Sequence, residues 1–223
     1  MNTSLYVVST PIGNLKDITY RAVEILNNVD IIFAENPRHS NILLSAYNIK
    51  KELIAYNDYN YQRKIPLALD LAKKGKKIAL ITDAGTPTIQ DPGYRIVKTF
   101  IESGFKVEPI PGPSAIICAL QASGISTDKF IFLGFLPKSG SKQSKLLLKY
   151  DRDATIIIYE SPNRLKETLK NIQQTLGNRY VVIARELTKV YEEFIRGYIE
   201  DVIKIIEEKK IIGEFVVLIE KNV

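Results

Sequence analysis

The stretch Lys77-Ile78-Ala79-Leu80-Ile81-Thr82-Asp83-Ala84-Gly85-Thr86-Pro87 decides how this chain is read. Residues 77–81 form a short, strongly apolar run that meets turn residues at once, which predicts a buried strand. The segment 82–93 then sets Asp83, Gly85, Pro87, Asp91, Pro92 and Gly93 close together. Two prolines and two glycines forbid regular structure there, so backbone N–H and C=O groups are left to bind a polar ligand. No Gly-Lys-Ser/Thr follows, so this is not a phosphate-binding P-loop, and it lacks the Gly-x-Gly-x-x-Gly of a dinucleotide turn. The same residues also read as a structural loop with Asx turns.

Outward from this segment, strand and helix patterns alternate. Strands are predicted over Leu5–Val8, 29–34, 53–56 and 105–110, and helices over 19–28, from Pro37 to Ala46, 67–72 closed by Gly75, 94–103 and 114–123. Repeated strand–helix–strand order predicts a mostly parallel sheet with helices on its faces, whose ligands bind beyond the carboxyl ends of the strands. Two further loops take that position. In Ser9-Thr10-Pro11-Ile12-Gly13-Asn14, Pro11 keeps Thr10 extended and Gly13 permits close approach of a ligand. Pro111-Gly112-Pro113-Ser114-Ala115 sets a rigid turn before a helix whose first N–H groups are free. Each also reads as an ordinary turn or cap.

A second half begins near Gly124, and a boundary at 125/126 separates an N-terminal α/β domain from a C-terminal one. Strands are predicted over 130–135, 155–159, 180–185, 194–198 and 215–220, with helices over 162–176 and 199–208 and a polar loop at 138–142. More strands and fewer intervening helices predict a mixed sheet. Lys142, Lys145 and Lys149 recur along one further helix with Leu146–Leu148 as its apolar side.

The chain has 223 residues, 45% of them hydrophobic, and Lys plus Arg exceed Asp plus Glu by 31 to 25, a net charge of +6. That surplus is compatible with a nucleic-acid partner without requiring one. One cysteine, Cys118, excludes an internal disulfide and reads as a buried small hydrophobe; one histidine, His39, cannot build a zinc site with it. No Gly-x-Ser-x-Gly elbow supports a hydrolase. Met1-Asn2-Thr3-Ser4 runs straight into a strand, and no run approaches the length of a membrane span, so a cytoplasmic protein without a membrane partner or a metal is expected. Two charged clusters also follow strands: Glu35-Asn36-Pro37-Arg38, and Arg185-Glu186-Leu187-Thr188-Lys189 with Glu192 and Glu193. Charges by default are solvated surface, but strand ends favour function.

Taken in order, seven segments carry a resemblance. They are Ser9–Asn14 continuing through Asp17, Arg21 and Ala22; 83–87 with 91–93; 111–115; Gly134-Phe135-Leu136-Pro137; Tyr159-Glu160-Ser161-Pro162; 184–189; and Gly213–Val217. The chain resembles the tetrapyrrole-methylase-like superfamily, and within it the branch that methylates small-subunit ribosomal RNA. The resemblance implies two α/β domains, the first with a mostly parallel and the second with a mixed sheet, and a cofactor cleft between them. It implies an S-adenosyl-L-methionine-dependent enzyme that methylates a cytidine ribose 2′-hydroxyl in the decoding region of 16S rRNA within the small ribosomal subunit, and a homodimer. By motif position, Pro11, Asp83, Gly85, Thr86, Pro87, Ile89, Ser114 and Ala115 contact the cofactor from the first domain, and Tyr159, Glu160, Arg185, Glu186, Leu187 and Gly213 from the second. A tetrapyrrole substrate, or nucleotide or RNA binding without catalysis, are the competing readings.

Methyl transfer to a hydroxyl needs no metal and no protein nucleophile. It needs alignment, and a base or a charge that stabilises the developing alkoxide. The candidates are Glu186 and Arg185 first, then Lys189 and Glu35, with Arg38 as a further phosphate or alkoxide clamp. RNA contact is expected from Arg21, Arg38, Lys138, Lys142 and Lys145, with Lys149 beside them. Three departures from the family pattern stand out. Glu35-Asn36-Pro37-Arg38 replaces Glu-Asp-Thr-Arg, Ile212-Gly213-Glu214 replaces Lys-Gly-Glu, and the chain ends at Val223 where many members continue into a small helical extension.

Overall fold

Short apolar strands that must be covered on both faces dictate the first half. The computed structural model describes residues 4–209 and 212–222, so the Met1–Thr3 start lies outside the described residues. The chain divides into two units, Met1–Ser114 and Ala115–Val223.

In the first unit β1 (Leu5–Val8), β2 (Ile31–Ala34), β3 (Glu52–Ala55), β4 (Ile78–Ile81) and β5 (Val107–Ile110) form one sheet in the order β3-β2-β4-β1-β5. Every pair is parallel. Period-two alternation sorts the strand side chains between two cores. Val8, Ile32, Ala34, Ala79 and Ile81 pack with Ala22 and Leu26 of α1 (Tyr20–Asn28) and Leu44 of α2 (Pro37–Ala46). Leu5, Ile31, Phe33, Ile78 and Leu80 pack with Ala68 and Ala72 of α3 (Tyr61–Lys73) and Ile96 and Phe100 of α4 (Tyr94–Glu102). Helices on opposite faces follow from right-handed crossovers that run from β1 toward β2 but from β4 toward β5. β1 and β4 are neighbours, so their outgoing loops part toward opposite faces and create a switch point.

The second unit comprises α5 (Ala115–Gln121), β6 (Phe130–Phe135), α6 (Gly140–Tyr150), β7 (Thr155–Glu160), α7 (Pro162–Leu176), β8 (Tyr180–Arg185), β9 (Glu193–Tyr198), α8 (Ile199–Glu208) and β10 (Phe215–Ile219). Its sheet runs β6-β7-β10-β8-β9, with β6 and β7 parallel and the other pairs antiparallel. Leu147, Leu165, Leu169, Ile172, Val202 and Ile206 from α6, α7 and α8 close over Ile156, Ile158, Val181, Ile183, Val217 and Ile219. α5 packs against β10, so the helix that the 125/126 boundary assigns to the first domain belongs with the second unit.

Three expectations are corrected. The polar stretch 138–142 is not all loop: α6 starts at Gly140, despite weak helix formers, because tertiary bonds hold its first turn. Gln143 is buried and donates to the Pro137 carbonyl at 2.8 Å, and Asn171 of α7 donates to Gln143 Oε1 at 2.8 Å. α3 begins at Tyr61, well before Leu67, and carries Pro66 inside it. The ring of Tyr61 under the Arg95 guanidinium, 4.0 Å from its centroid, and the Asn60 amide bonded to the Ala55 carbonyl at 3.1 Å fix that first turn. Cys118 is half-buried rather than buried. Among the described residues no helix is long and apolar enough to cross a membrane.

Leu169, fully buried in the second core, tests this packing. Leu169→Ala should lower unfolding free energy by about 2–5 kcal/mol, read from chemical denaturation.

Candidate functional site

The loops after β2, β4, β1 and β5 are laced into one continuous rim. Thr10 and Gly85 exchange backbone hydrogen bonds, Thr10 N–H to Gly85 O at 2.9 Å and Gly85 N–H to Thr10 O at 3.0 Å. The Thr10 hydroxyl donates to the Thr82 carbonyl at 3.2 Å. Ser9 Oγ donates to Thr86 Oγ1 at 3.3 Å, and the Thr86 hydroxyl donates onward to the Pro113 carbonyl at 3.1 Å. Gly112 lies so close to Ser9 that a Cβ there would stand 2.9 Å from Ser9 Cβ and 3.3 Å from Ser9 O. The three Gly/Pro loops are thus one object at the switch point. Of its members, Pro11, Gly85 and Pro87 are buried, Asp83, Thr86 and Ser114 half-buried, and Ile89 is exposed; Ala115, which opens the second unit, is half-buried. Thr88 and Gln90 hold positive φ values of 77° and 63°, costly backbone for a β-branched residue such as Thr88.

The loop after β2 joins this rim through carboxylates. Glu35 Oε2 accepts the Asp83 N–H at 3.4 Å, and Asp83 Oδ1 accepts the Asn36 N–H at 3.2 Å. Burial raises the Glu35 carboxyl above its ordinary value, with the Asp83 and Asp58 charges adding to it against the hydrogen bond from Asp83 N–H. Burial and the Glu35 charge push Asp91 up to about 7. The Asn36-Pro37 departure has a local account. Asn36 Oδ1 caps α2 by accepting the Arg38 N–H at 3.1 Å, and Pro37 takes the first helical position, where no N–H is needed. Arg38 and Arg21 lie exposed in the first turns of α2 and α1.

In the second unit the 185–189 segment is tied to the turn before β10. Lys189 Nζ lies 2.9 Å from Glu186 Oε1 and 2.8 Å from Glu214 Oε2, while Glu186 Oε1 also accepts the Glu214 N–H at 2.9 Å. Gly213, at φ 104°, leaves the space for this carboxylate: a Cβ would fall 2.6 Å from Glu186 Oε1. Burial alone raises the Glu186 carboxyl, but the Lys189 ammonium and the Glu214 N–H outweigh it and hold the group below its ordinary value. Lys189, which burial alone lowers, is held above its ordinary value by Glu214 and Glu186. Glu186 is therefore a firmly held anion, a poor proton acceptor at neutral pH. Arg185 donates to the Ile212 carbonyl at 2.8 Å and pairs with Glu193 at 3.4 Å. Leu187 is buried beneath the segment.

Glu160 is buried and already bonded. Its Oε1 accepts the Ser161 N–H at 2.8 Å, its Oε2 accepts the Thr168 hydroxyl at 2.6 Å, and Arg164 lies 3.5 Å away. It fixes the start of α7, while Tyr159 stacks edge-on with Phe132 and Phe135 at 4.8 and 5.8 Å. Lys138, Lys142, Lys145 and Lys149 lie exposed on and before α6. Among the described residues no group of three or more His, Cys, Asp or Glu is placed to hold a metal.

Asp91 belongs to the 91–93 motif but is not among the site residues that the sequence marks; only the fold brings Glu35 close enough to perturb it. Its folded-state value stands above the ordinary 3.8, so the penalty of ionising it in the folded protein is absent below about pH 4, grows toward pH 7 and levels off above. Asp91→Asn removes that penalty. The stability difference, variant minus wild type, should rise between pH 4 and 7 in denaturant titrations; a pH-independent difference would contradict the assignment.

Residues 4–203 match the family model of the tetrapyrrole (corrin/porphyrin) methylases. The chain is 44% identical to the ribosomal RNA small subunit methyltransferase I of Thermotoga maritima, over 96% of this chain and 97% of that one. It is 47% identical to the protein of the same name from Bacillus subtilis, over 97% of this chain and 74% of that one. Among solved structures, a cobalt precorrin-4 methyltransferase of cobalamin biosynthesis superposes with a TM-score of 0.73 at 18% identity, covering 97% of this chain and 94% of the other. That likeness concerns the fold. A switch-point rim, two α/β units and a family match across most of the chain lead to one conclusion: this chain belongs to the tetrapyrrole (corrin/porphyrin) methylase family.

Proposed function

We propose that the protein uses S-adenosylmethionine to methylate ribosomal RNA of the small subunit, at the ribose 2′-hydroxyl of a cytidine in the decoding region of 16S rRNA. The observation that carries this reading is the near-full-length identity to relatives named for that ribosomal subunit, 44% in Thermotoga maritima and 47% in Bacillus subtilis. A corrin or porphyrin substrate is supported by the name of the family and by solved structures that share the fold at 18% identity or less.

The switch-point rim suits this cofactor chemically. S-adenosylmethionine supplies an electrophilic methyl group and carries positive charge, which the carboxylates of Glu35, Asp83 and Asp91 complement. Ile89, 43% exposed, offers an apolar surface for a nucleobase. Ser114 and Ala115 stand at the start of α5, where N–H groups lack helical partners. The second-unit residues Tyr159, Glu160, Arg185, Glu186, Leu187 and Gly213 enter as cofactor contacts through the motif resemblance. For the proton of the attacking hydroxyl, Glu35 is the better acceptor, because burial lifts its carboxyl while Glu186 is held as an anion. Arg185 and Lys189 are then charge stabilisers rather than bases. The protein would work in the cytoplasm as a homodimer on assembled small subunits.

Calorimetric titration with S-adenosylmethionine, followed by mass mapping of rRNA nucleosides from a deletion strain, tests the proposal. One 2′-O-methylcytidine should vanish from 16S rRNA and return with the wild-type gene. Gly112→Ala, which forces the β1 and β5 loops apart, should weaken cofactor binding at least tenfold in a folded protein. Unchanged rRNA modification in the deletion strain would overturn the substrate assignment.

A further inference from the structure

The outer face of α6 gathers lysines with no acidic neighbour along the helix. Several lysines elsewhere are paired, Lys74 with Asp70, Lys76 with Asp30, Lys166 and Lys170 with Glu207, Lys204 with Glu200 and Asp201, while single lysines such as Lys16, Lys64 and Lys129 form no ion pair among the described residues. The stretch from Lys138 to Tyr150 contains four lysines and no acidic residue. Among the described residues none of Lys138, Lys142, Lys145 and Lys149 has a carboxylate within ion-pair distance. The next acidic side chain along the chain, Asp151, is engaged 2.9 Å from Arg179. Positions 142, 145 and 149 fall within one sixth of the helix circumference and span about 10 Å along it. They lie opposite Gln143 and Leu147, which are buried toward α7 and the sheet. Phe135, at the end of edge strand β6, is 52% exposed but packs edge-on against Tyr159 at 5.8 Å, on the sheet face opposite the Ile156 and Ile158 face that α6 covers. Leu148, 60% exposed, adds an apolar spot among the lysines.

A row of ammonium groups without carboxylate partners matches the chemistry of a nucleic-acid backbone, with phosphates on the cations; Lys149 Nζ also lies 5.1 Å over the Tyr150 ring. We infer that the outer face of α6 is the surface on which the backbone of the RNA substrate docks, its phosphates against Lys138, Lys142, Lys145 and Lys149. This inference rests on the ribosomal RNA reading above and specifies where the RNA is gripped.

The test compares Lys142→Gln/Lys145→Gln/Lys149→Gln with Lys166→Gln/Lys170→Gln, whose lysines are paired with Glu207 at 3.0 and 2.9 Å. Binding to small ribosomal subunits and to a single-stranded RNA oligonucleotide is measured across a KCl series, together with KM, kcat and S-adenosylmethionine affinity. The α6 variant should flatten the slope of log affinity against log salt by about two, near 0.7 for each phosphate that is no longer neutralised. Its KM for subunits should rise while kcat and cofactor affinity hold, and the paired-lysine variant should match wild type. Equal effects of the two lysine variants would overturn the inference. Wild-type protein that binds cofactor but no RNA at any salt concentration would instead overturn the ribosomal RNA reading itself.

Discussion

The reciprocal backbone pair between Thr10 and Gly85 is the constraint on which the first unit's site depends. Parallel strands do not by themselves join the loops that leave them, and at a switch point those loops diverge. Here two hydrogen bonds of 2.9 and 3.0 Å bind the loop after β1 to the loop after β4. The hydroxyls of Ser9, Thr10 and Thr86 carry the connection to Thr82 and Pro113, and Asp83 carries it to the strand-end residues of β2. Four strand ends become a single rim whose irregular backbone is positioned before any ligand arrives. Preorganisation of this kind spares a bound cofactor the entropy of ordering loops.

The two acidic segments that looked alike in sequence are separated by their surroundings. Glu186 sits against an ammonium and a backbone N–H and stays ionised, with Gly213 giving it the room. Glu35 lies half-buried among other carboxylates and is biased toward holding a proton. One environment suits fixed charge and the other suits proton transfer.

Much of this fold is legible in the sequence, because buried strands and amphipathic helices leave periodic marks. The Ile78–Ile81 run, the 162–176 helix and the Pro/Gly loops are found where those marks place them. What is not legible depends on contacts between distant residues. α6 begins in a Gly-Ser stretch because Gln143 and Asn171 hold it there, and α3 passes through Pro66 because Tyr61 is pinned by Arg95. Asp91 is perturbed by Glu35 only once β2 and β4 lie side by side. Gly213 is needed for a carboxylate 27 positions earlier, which no local pattern announces.

The central claim is that the laced rim is the cofactor-binding element. Hydrogen–deuterium exchange of the wild-type protein with and without S-adenosylmethionine tests it most directly. The account predicts new protection concentrated in residues 9–13, 82–93 and 111–115. Saturable binding that leaves exchange in those three segments unchanged would contradict it.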